Sequence, residues 1–368
     1  MDKKQTNSLT SYEITFTIVG TVIGIYLLKA AGDVTKLSKQ DGWISMLLGG
    51  LYPLYFVFIA SYIIKKHPKD KILSLSKKYL GAILGNILNF IFFIQFVFYL
   101  CFITASIINM LENYSISFLT PMKTAIVLVT IGAYAASNGL KTIAKINVIV
   151  FYFLLFLIIL TLIPLRDGSI LNVMPIGGSG IKNIFQDVGA SFQSYSTIEI
   201  ILLIYPFARE GVSVKTAALK AVLIIAIIYT WIIFITIYYL GIELIPKSFW
   251  PSILIYHSIH IPLINNFVTV FMLLWTALFL KSISTQYFFV AFILTDYTKI
   301  KLQKICLFMW PVVVFMAVLF SADPKYSEYF SSAAIYIVIF NISYVTIIAS
   351  LIFIKQKKVK KSIKCATE

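Results

Sequence analysis

Ten apolar runs follow one another along this chain of 368 residues, at about 12–31, 42–64, 82–109, 121–137, 143–165, 188–207, 217–240, 264–294, 302–321 and 332–354. A helix needs roughly 20 predominantly apolar residues to cross a bilayer. Within hydrocarbon every backbone polar group must be satisfied inside the structure, which runs of this length achieve as helices. Charged residues make up 12% of the chain and hydrophobic ones 60%, against roughly a quarter and a half in soluble domains. No stretch between the runs is long enough for a soluble domain. The chain therefore reads as an all-α integral membrane protein of about ten transmembrane helices, one domain over 1–354 with a basic tail over 355–368. The third and eighth runs exceed one crossing and are expected to tilt or to project beyond the membrane. The N-terminus is polar up to Ser11 and has no short apolar core with a cleavage site, so the first run is expected to stay as a membrane helix.

The formal net charge is +16, and its distribution decides what it means. Twenty-two Lys and Arg residues fall in the terminal segments and alternate loops on one side, and eight on the other. This bias places the first set, with both termini, in the cytoplasm. No groove of interleaved basic and aromatic residues sits in a soluble segment, which argues against nucleic acid. Cys101, Cys306 and Cys365 suggest neither a disulfide framework nor a zinc site. His257 and His260 could share a helix face, but with no third ligand nearby they read as surface histidines. No cofactor and no catalytic arrangement of side chains is implied, so an enzyme is not expected. Gly177-Gly178-Ser179-Gly180 lacks the context of a nucleotide loop and reads as a turn within an outer loop, 166–187, that carries a short surface helix. The segment 243–262, with three prolines, reads as an outer re-entrant or lid helix. The lysines of 355–361 could attract anionic head groups or simply flank the last helix.

Ten spans divide into five and five, over about 12–165 and 188–354. Because five is odd, the second half enters from the opposite side, and the halves are inverted in topology. The leading span of each half has a soft centre. In the first it is Gly20-Thr21-Val22-Ile23-Gly24, and in the sixth it is the stretch from Gly189 through Ser191-Phe192-Gln193-Ser194-Tyr195 to Thr197. Glycine weakens a helix and bares its backbone. Interrupted helices at matching places in two inverted halves point to a small-molecule site at the midplane. The break in the first span would offer amide N–H groups and a positive helix end to a carboxylate. The break in the sixth would offer carbonyls to an ammonium. Small residues four apart also let helices pack closely, and that reading stays open for the glycines.

Glu199 and Lys281 are ionisable residues near mid-depth. Isolated charges there are costly, so the expectation is an ion pair between them beside the site, with Lys281 standing where a sodium-coupled relative would hold a cation. A purely structural pair remains the alternative. Tyr99, Thr104 and Ser106 of the third span and Ser282, Ser284 and Thr285 of the eighth are further candidates to line the pocket.

Several stretches resemble the B-subunit family of spore germinant receptors, a branch of the amino acid–polyamine–organocation transporter superfamily. They are Leu9-Thr10-Ser11-Tyr12-Glu13 with Gly20 to Ile25, Lys39-Gln40-Asp41-Gly42-Trp43-Ile44-Ser45, Lys65-Lys66-His67-Pro68, and Leu203-Ile204-Tyr205-Pro206-Phe207. Where that family often carries a proline at the outer end of the first helix, this chain has Leu27-Leu28-Lys29-Ala30. The resemblance implies a LeuT-like transporter fold, five plus five inverted repeats with discontinuous helices 1 and 6. It also implies an amino acid or similar germinant as ligand, an A subunit and a lipoprotein C subunit as partners, and the spore inner membrane as location. A germinant-sensing subunit is the leading expectation. A proton-coupled amino acid transporter and a ligand-gated channel are the alternatives, because a fold does not settle function.

Overall fold

The computed structural model describes residues 8–114, 118–259, 267–323 and 325–367. The first run is two helices, α1 (Ser11–Val22) and α2 (Tyr26–Val34), bent by 56° at the residues between them. A capping box starts α1. The Thr10 hydroxyl accepts from the Glu13 amide, and the Glu13 carboxylate accepts from the Thr10 amide at 2.9 Å. Such a cap is worth about 1 kcal/mol.

The second run holds α3 (Gly42–Gly49) and α4 (Leu51–Lys66), and α5 (Ile72–Leu80) is a short helix beyond it. The third run is α6 (Ala82–Tyr114), the fourth α7 (Pro121–Ser137) and the fifth α8 (Leu140–Leu160). The sixth run begins earlier than its hydrophobicity indicates, with α9 (Ile181–Ser191). It then passes through the irregular residues 192–197 to a compact segment around α10 (Ile201–Ile204). After this come α11 (Val214–Leu240), the five-residue α12 (Ile253–His257), α13 (Phe267–Thr298), α14 (Leu302–Ser321) and α15 (Lys325–Thr367). Among the described residues seven helices are long and apolar enough to cross a membrane, eight if the bent α1–α2 pair is one span, and the fourth and sixth runs hold shorter apolar helices. The third and eighth are 33 and 32 residues long, as their runs suggest.

Two expectations change. The short surface helix placed in the 166–187 loop is the first stretch of α9, the opening half of the sixth span; Gly180, at φ +85°, turns the chain into it. In the described part of the segment expected as a re-entrant or lid helix, 243–259, the chain forms a 3-10 turn at Ile245–Lys247 and the five-residue α12, and 260–262 lie outside the described residues. The basic tail is helical, continuing α15 to Thr367. His257 lies in α12 with its ring 6.3 Å from that of Tyr114, and burial holds its imidazole below the usual value. His260 lies outside the described residues.

The packing buries nearly all of α1 and most of residues 191–205, while α9 buries only Ile184, Asp187 and Ser191. The helix α1 lies against α8 and α11, while α13 packs on α6, α7 and α8, and α9 packs on α3. Gly49 allows the last of these contacts: a Cβ there would stand 1.8 Å from the Ser191 hydroxyl. Only hydrogen fits.

Two sets of polar contacts tie the broken spans together at their ends. On the face opposite the chain termini, the Asp187 carboxylate of α9 accepts from the amides of Leu37 and Ser38, just after α2, at 2.9 and 2.7 Å. Nearby, the buried Asp41 accepts from the Gly177 amide at 2.7 Å and from the Ser179 amide and hydroxyl at 3.0 and 2.7 Å. The Gly-Gly-Ser-Gly turn therefore serves as a cradle for Asp41. On the lysine-rich face, Leu9 bridges in parallel to Ala208: its amide donates to Phe207 at 2.8 Å and its carbonyl accepts from Arg209 at 2.9 Å. Lys141 of α8 closes the same end on Glu13 at 2.6 Å and on the Ser8 carbonyl at 2.9 Å.

Candidate functional site

The helix α1 ends at Val22, so the last carbonyls of its final turn have no partner within the helix. Three other elements supply donors. The Thr197 hydroxyl of the sixth span donates to the Thr21 carbonyl at 3.2 Å, Tyr229 of α11 to Val22 at 3.2 Å, and the Lys281 ammonium of α13 to Ile23 at 3.0 Å. Each carbonyl of the break has its own donor. A cation at this point also complements the negative end of the α1 dipole.

The donors of the break are less well served. The buried amides of Gly24 and Ile25 make no hydrogen bond among the described residues, while those of Leu27 and Leu28 turn back onto the carbonyls of Gly24 and Ile25 at 3.1 Å. Two adjacent N–H groups are thus left free at the start of α2, at the positive end of that helix.

Across the break, residues 192–197 descend in tightened turns. The amides of Ser194, Tyr195 and Ser196 donate to the carbonyls of Ser191, Phe192 and Gln193 at 2.9, 3.2 and 3.2 Å. Thr197 stands at φ +74°, a backbone region that costs a β-branched residue of order 1–3 kcal/mol. Its hydroxyl bond to Thr21 helps to hold it there and joins the two breaks directly. The carbonyls of Ser194 and Tyr195 accept no hydrogen bond among the described residues. Bare donors on the first span thus accompany bare acceptors on the sixth.

The expected site residues separate into groups. Thr21, Val22, Ile23 and Gly24 form the break itself, with Gly24 facing Ser282: a Cβ there would lie 3.5 Å from the Ser282 hydroxyl. Gly20 is one turn earlier, inside α1, where a Cβ would collide with the Asn147 amide oxygen of α8 at 1.9 Å. Of the two glycines, Gly20 serves helix packing and Gly24 the break. On the sixth span, Gln193 donates to the Tyr26 hydroxyl at 3.2 Å, and Phe192 lies 5.5 Å from the ring of Tyr52. Tyr195 turns away, with its hydroxyl donating to the Met46 carbonyl at 2.9 Å and its ring against Tyr229, and the Ser191 hydroxyl returns to the Val188 carbonyl. Buried Ser194 contributes its backbone. Tyr99 stands beside Ser196 and within electrostatic reach of Glu199. The hydroxyls of Thr104 and Ser284 close on their own helices, and Thr285 takes the Asn147 amide at 3.0 Å. Thr104 and Ser284 thus bond within their own helices, and Thr285 ties α13 to α8. Ser106 is buried on α6.

Glu199 and Lys281 are both buried near the breaks, but they form no ion pair. The reason is that each has nearer partners. One Glu199 oxygen accepts from Tyr52 at 2.5 Å and from Asn341 at 2.8 Å. Its second oxygen and the Asn341 carbonyl oxygen are buried without a partner among the described residues, as are both polar atoms of Gln95 and of Gln286. A buried unsatisfied group costs about 1–3 kcal/mol, and the Glu199–Asn341 pair carries two of them side by side. Tyr26, Tyr52, Asn147, Thr197 and Asn341 are site or support residues that sequence reasoning missed. Among them only Thr197 carried a signal, by its place in the soft stretch of the sixth span.

Residues 8–326 match the family model described as spore germination protein, Spore_permease. The chain is 23% identical to spore germination protein GerQB of Bacillus cereus over 273 residues, covering 74% of this chain and 76% of that protein. It is also 23% identical to spore germination protein B2 of Bacillus subtilis (strain 168), covering 75% and 76%. Among solved structures, it resembles MhsT in complex with L-phenylalanine with a TM-score of 0.67 at 14% identity, covering 92% of this chain and 87% of MhsT. The nucleobase-cation-symport-1 family transporter Mhp1 gives 0.63 at 14% identity, with 94% and 76% covered. A sodium-coupled sialic acid symporter gives 0.63 at 13% identity, with 95% and 79% covered. These likenesses establish the LeuT-like fold, with its five-plus-five inverted repeat and broken first and sixth helices.

Proposed function

The chain belongs to the spore germination protein family, and from that premise we propose that it is the germinant-sensing subunit of a spore germinant receptor, binding a free amino acid between the breaks of its first and sixth spans. The observation that carries this reading is the polarity of the breaks. The free amides of Gly24 and Ile25 donate to the ligand carboxylate, and the free carbonyls of Ser194 and Tyr195 accept hydrogen bonds from its ammonium. Lys281 places its amino group at the carbonyl end of α1, donating to Ile23, where a bound cation stands in a sodium-coupled transporter. Gln193, Phe192 and Tyr99 are the side chains we assign to contact with the ligand's side chain. That the related fold of MhsT holds L-phenylalanine agrees with a ligand of this size and chemistry. Binding stabilises the conformer in which the breaks face each other, and the shift passes to an A subunit and a lipoprotein C subunit in the spore inner membrane. The lysine-rich face with both termini lies toward the spore core.

The test is equilibrium binding of radiolabelled amino acids to the purified full chain in nanodiscs. At least one free amino acid is expected to bind, and amidation of its carboxyl group to weaken binding tenfold or more, because a charge-assisted hydrogen bond is worth about 1.5–3 kcal/mol. Equal binding of the acid and its amide would remove the carboxylate from the assignment. Accumulation of the label inside sealed vesicles by this subunit alone would replace sensing with transport. Ion flux without accumulation would replace it with a channel.

A further inference from the structure

A groove of about 410 Å³ runs between α4 and α15 on the outside of the helical bundle, lined by Ile59 and Tyr62 on one side and by Thr346, Ala349, Ser350 and Phe353 on the other. Its size falls in the usual range for ligand clefts, roughly 300–1,000 Å³. Its walls are mainly apolar, and Ser350 and Phe353 are exposed at its mouth. At one end the Tyr55 hydroxyl meets that of Thr346 at 2.9 Å and closes the groove.

The other end has a different character. Along α4, Ile59 and Tyr62 lead at helical spacing to Lys66. Along α15, Thr346, Ser350 and Phe353 lead in the same way to Lys357. Each stripe that lines the groove therefore finishes in a lysine about one turn, or ~6 Å, beyond the last lining residue. Lys66 and Lys357 are both exposed, and Lys65 stands next to the first of them. The result is an apolar channel, closed by hydroxyls at one end and flanked by ammonium groups at the other. This matches the chemical order of an acidic phospholipid.

We infer that this groove is a binding site for one anionic phospholipid, with an acyl chain along Tyr62, Ala349 and Phe353 and the phosphate between Lys66 and Lys357. The polarity selects the occupant. A transmembrane helix of a partner could fill the apolar length of the groove, but it would place its own flanking residues against two cations that a phosphate satisfies directly. The site is on the opposite side of α4 from the ligand chemistry: Tyr52 of that helix reaches inward to Glu199, whereas Tyr55 and Ile59 face the groove. A lipid held here braces α4 against α15, and these two helices supply the Tyr52 and Asn341 side chains that hold Glu199.

Native mass spectrometry of the full chain released from micelles tests the site, with phosphatidylglycerol or phosphatidylcholine of identical acyl chains added. One phosphatidylglycerol is expected to remain bound in preference to phosphatidylcholine. Lys66→Gln and Lys357→Gln are each expected to weaken its retention about fivefold. Ser350→Phe, which fills the groove from its exposed wall, is expected to abolish retention of either lipid. Elution as a single species with an unchanged helical spectrum checks that each variant folds. Equal retention of the two lipids, or indifference to both lysine substitutions, would overturn the assignment. So would a Ser350→Phe variant that retains phosphatidylglycerol as fully as the parent chain, because the lipid would then lie elsewhere.

Discussion

At the scale of single residues, most of the chemistry is decided by which backbone groups lack a partner. Lys281 gives the clearest case. Its ammonium is buried because the break in the first span leaves the Ile23 carbonyl exposed to it, and not because a carboxylate lies opposite. Lys281→Met is therefore expected to leave that carbonyl unpaired and lower stability by about 1–3 kcal/mol, with loss of amino acid binding. Thermal melting and binding of the purified variant check this together, and full ligand response with normal assembly would end the functional role of Lys281. Gly20 gives a second case. Gly20→Val drives a side chain into Asn147 and is expected to destabilise the fold by about 1–3 kcal/mol, as overpacking of a dense interior does. Asn147→Ala should restore much of that loss in the double variant, and additivity of the two effects would show that the residues do not meet. Neither partner is visible in the sequence near Gly20 or Lys281, because one stands 127 residues away along the chain and the other pairs with a backbone atom.

At the scale of elements, the two broken spans differ in how legible they were. The first break was marked by Gly24 and by the small residues before it, and it falls within a few residues of the expected place. The sixth was marked by a polar stretch, but its opening helix α9 was hidden. Residues 181–187 are too polar to read as membrane helix. They remain helical because Asp187 binds the amides after α2 and because Ser191 seats against Gly49. Asp41 has the matching role in the neighbouring loop, which gives the Asp-Gly-Trp-Ile stretch its physical meaning: the carboxylate organises the turn that leads into α9. Asp41→Asn is expected to loosen that turn, exposing 175–180 to limited proteolysis and weakening ligand binding from a distance. Unchanged cleavage would show that the turn is held by its own backbone.

At the scale of the whole molecule, the ties at the two faces make the broken spans a pair that closes at both ends. The tie on the lysine-rich face is the slighter, consisting of one bridge of Leu9 to Ala208 and the Lys141 contacts with Glu13 and Ser8. A disulfide introduced by Leu9→Cys and Ala208→Cys, whose backbones already pair, is expected to preserve amino acid binding but block any response that requires this end to open. Reduction should restore the response, and a response unaffected by the cross-link would place the motion elsewhere. The sequence by itself determined the number of crossings, the division into five and five, the two soft centres and the charge asymmetry. All of these follow from local composition and from the cost of placing polar groups in hydrocarbon. The tertiary structure alone decided that Gly20 packs while Gly24 breaks, that Glu199 turns to Tyr52 and Asn341, and that Lys281 turns to a carbonyl. A buried charge takes the partner that the packing of distant helices brings within reach, and no local pattern in the chain specifies which helix that will be.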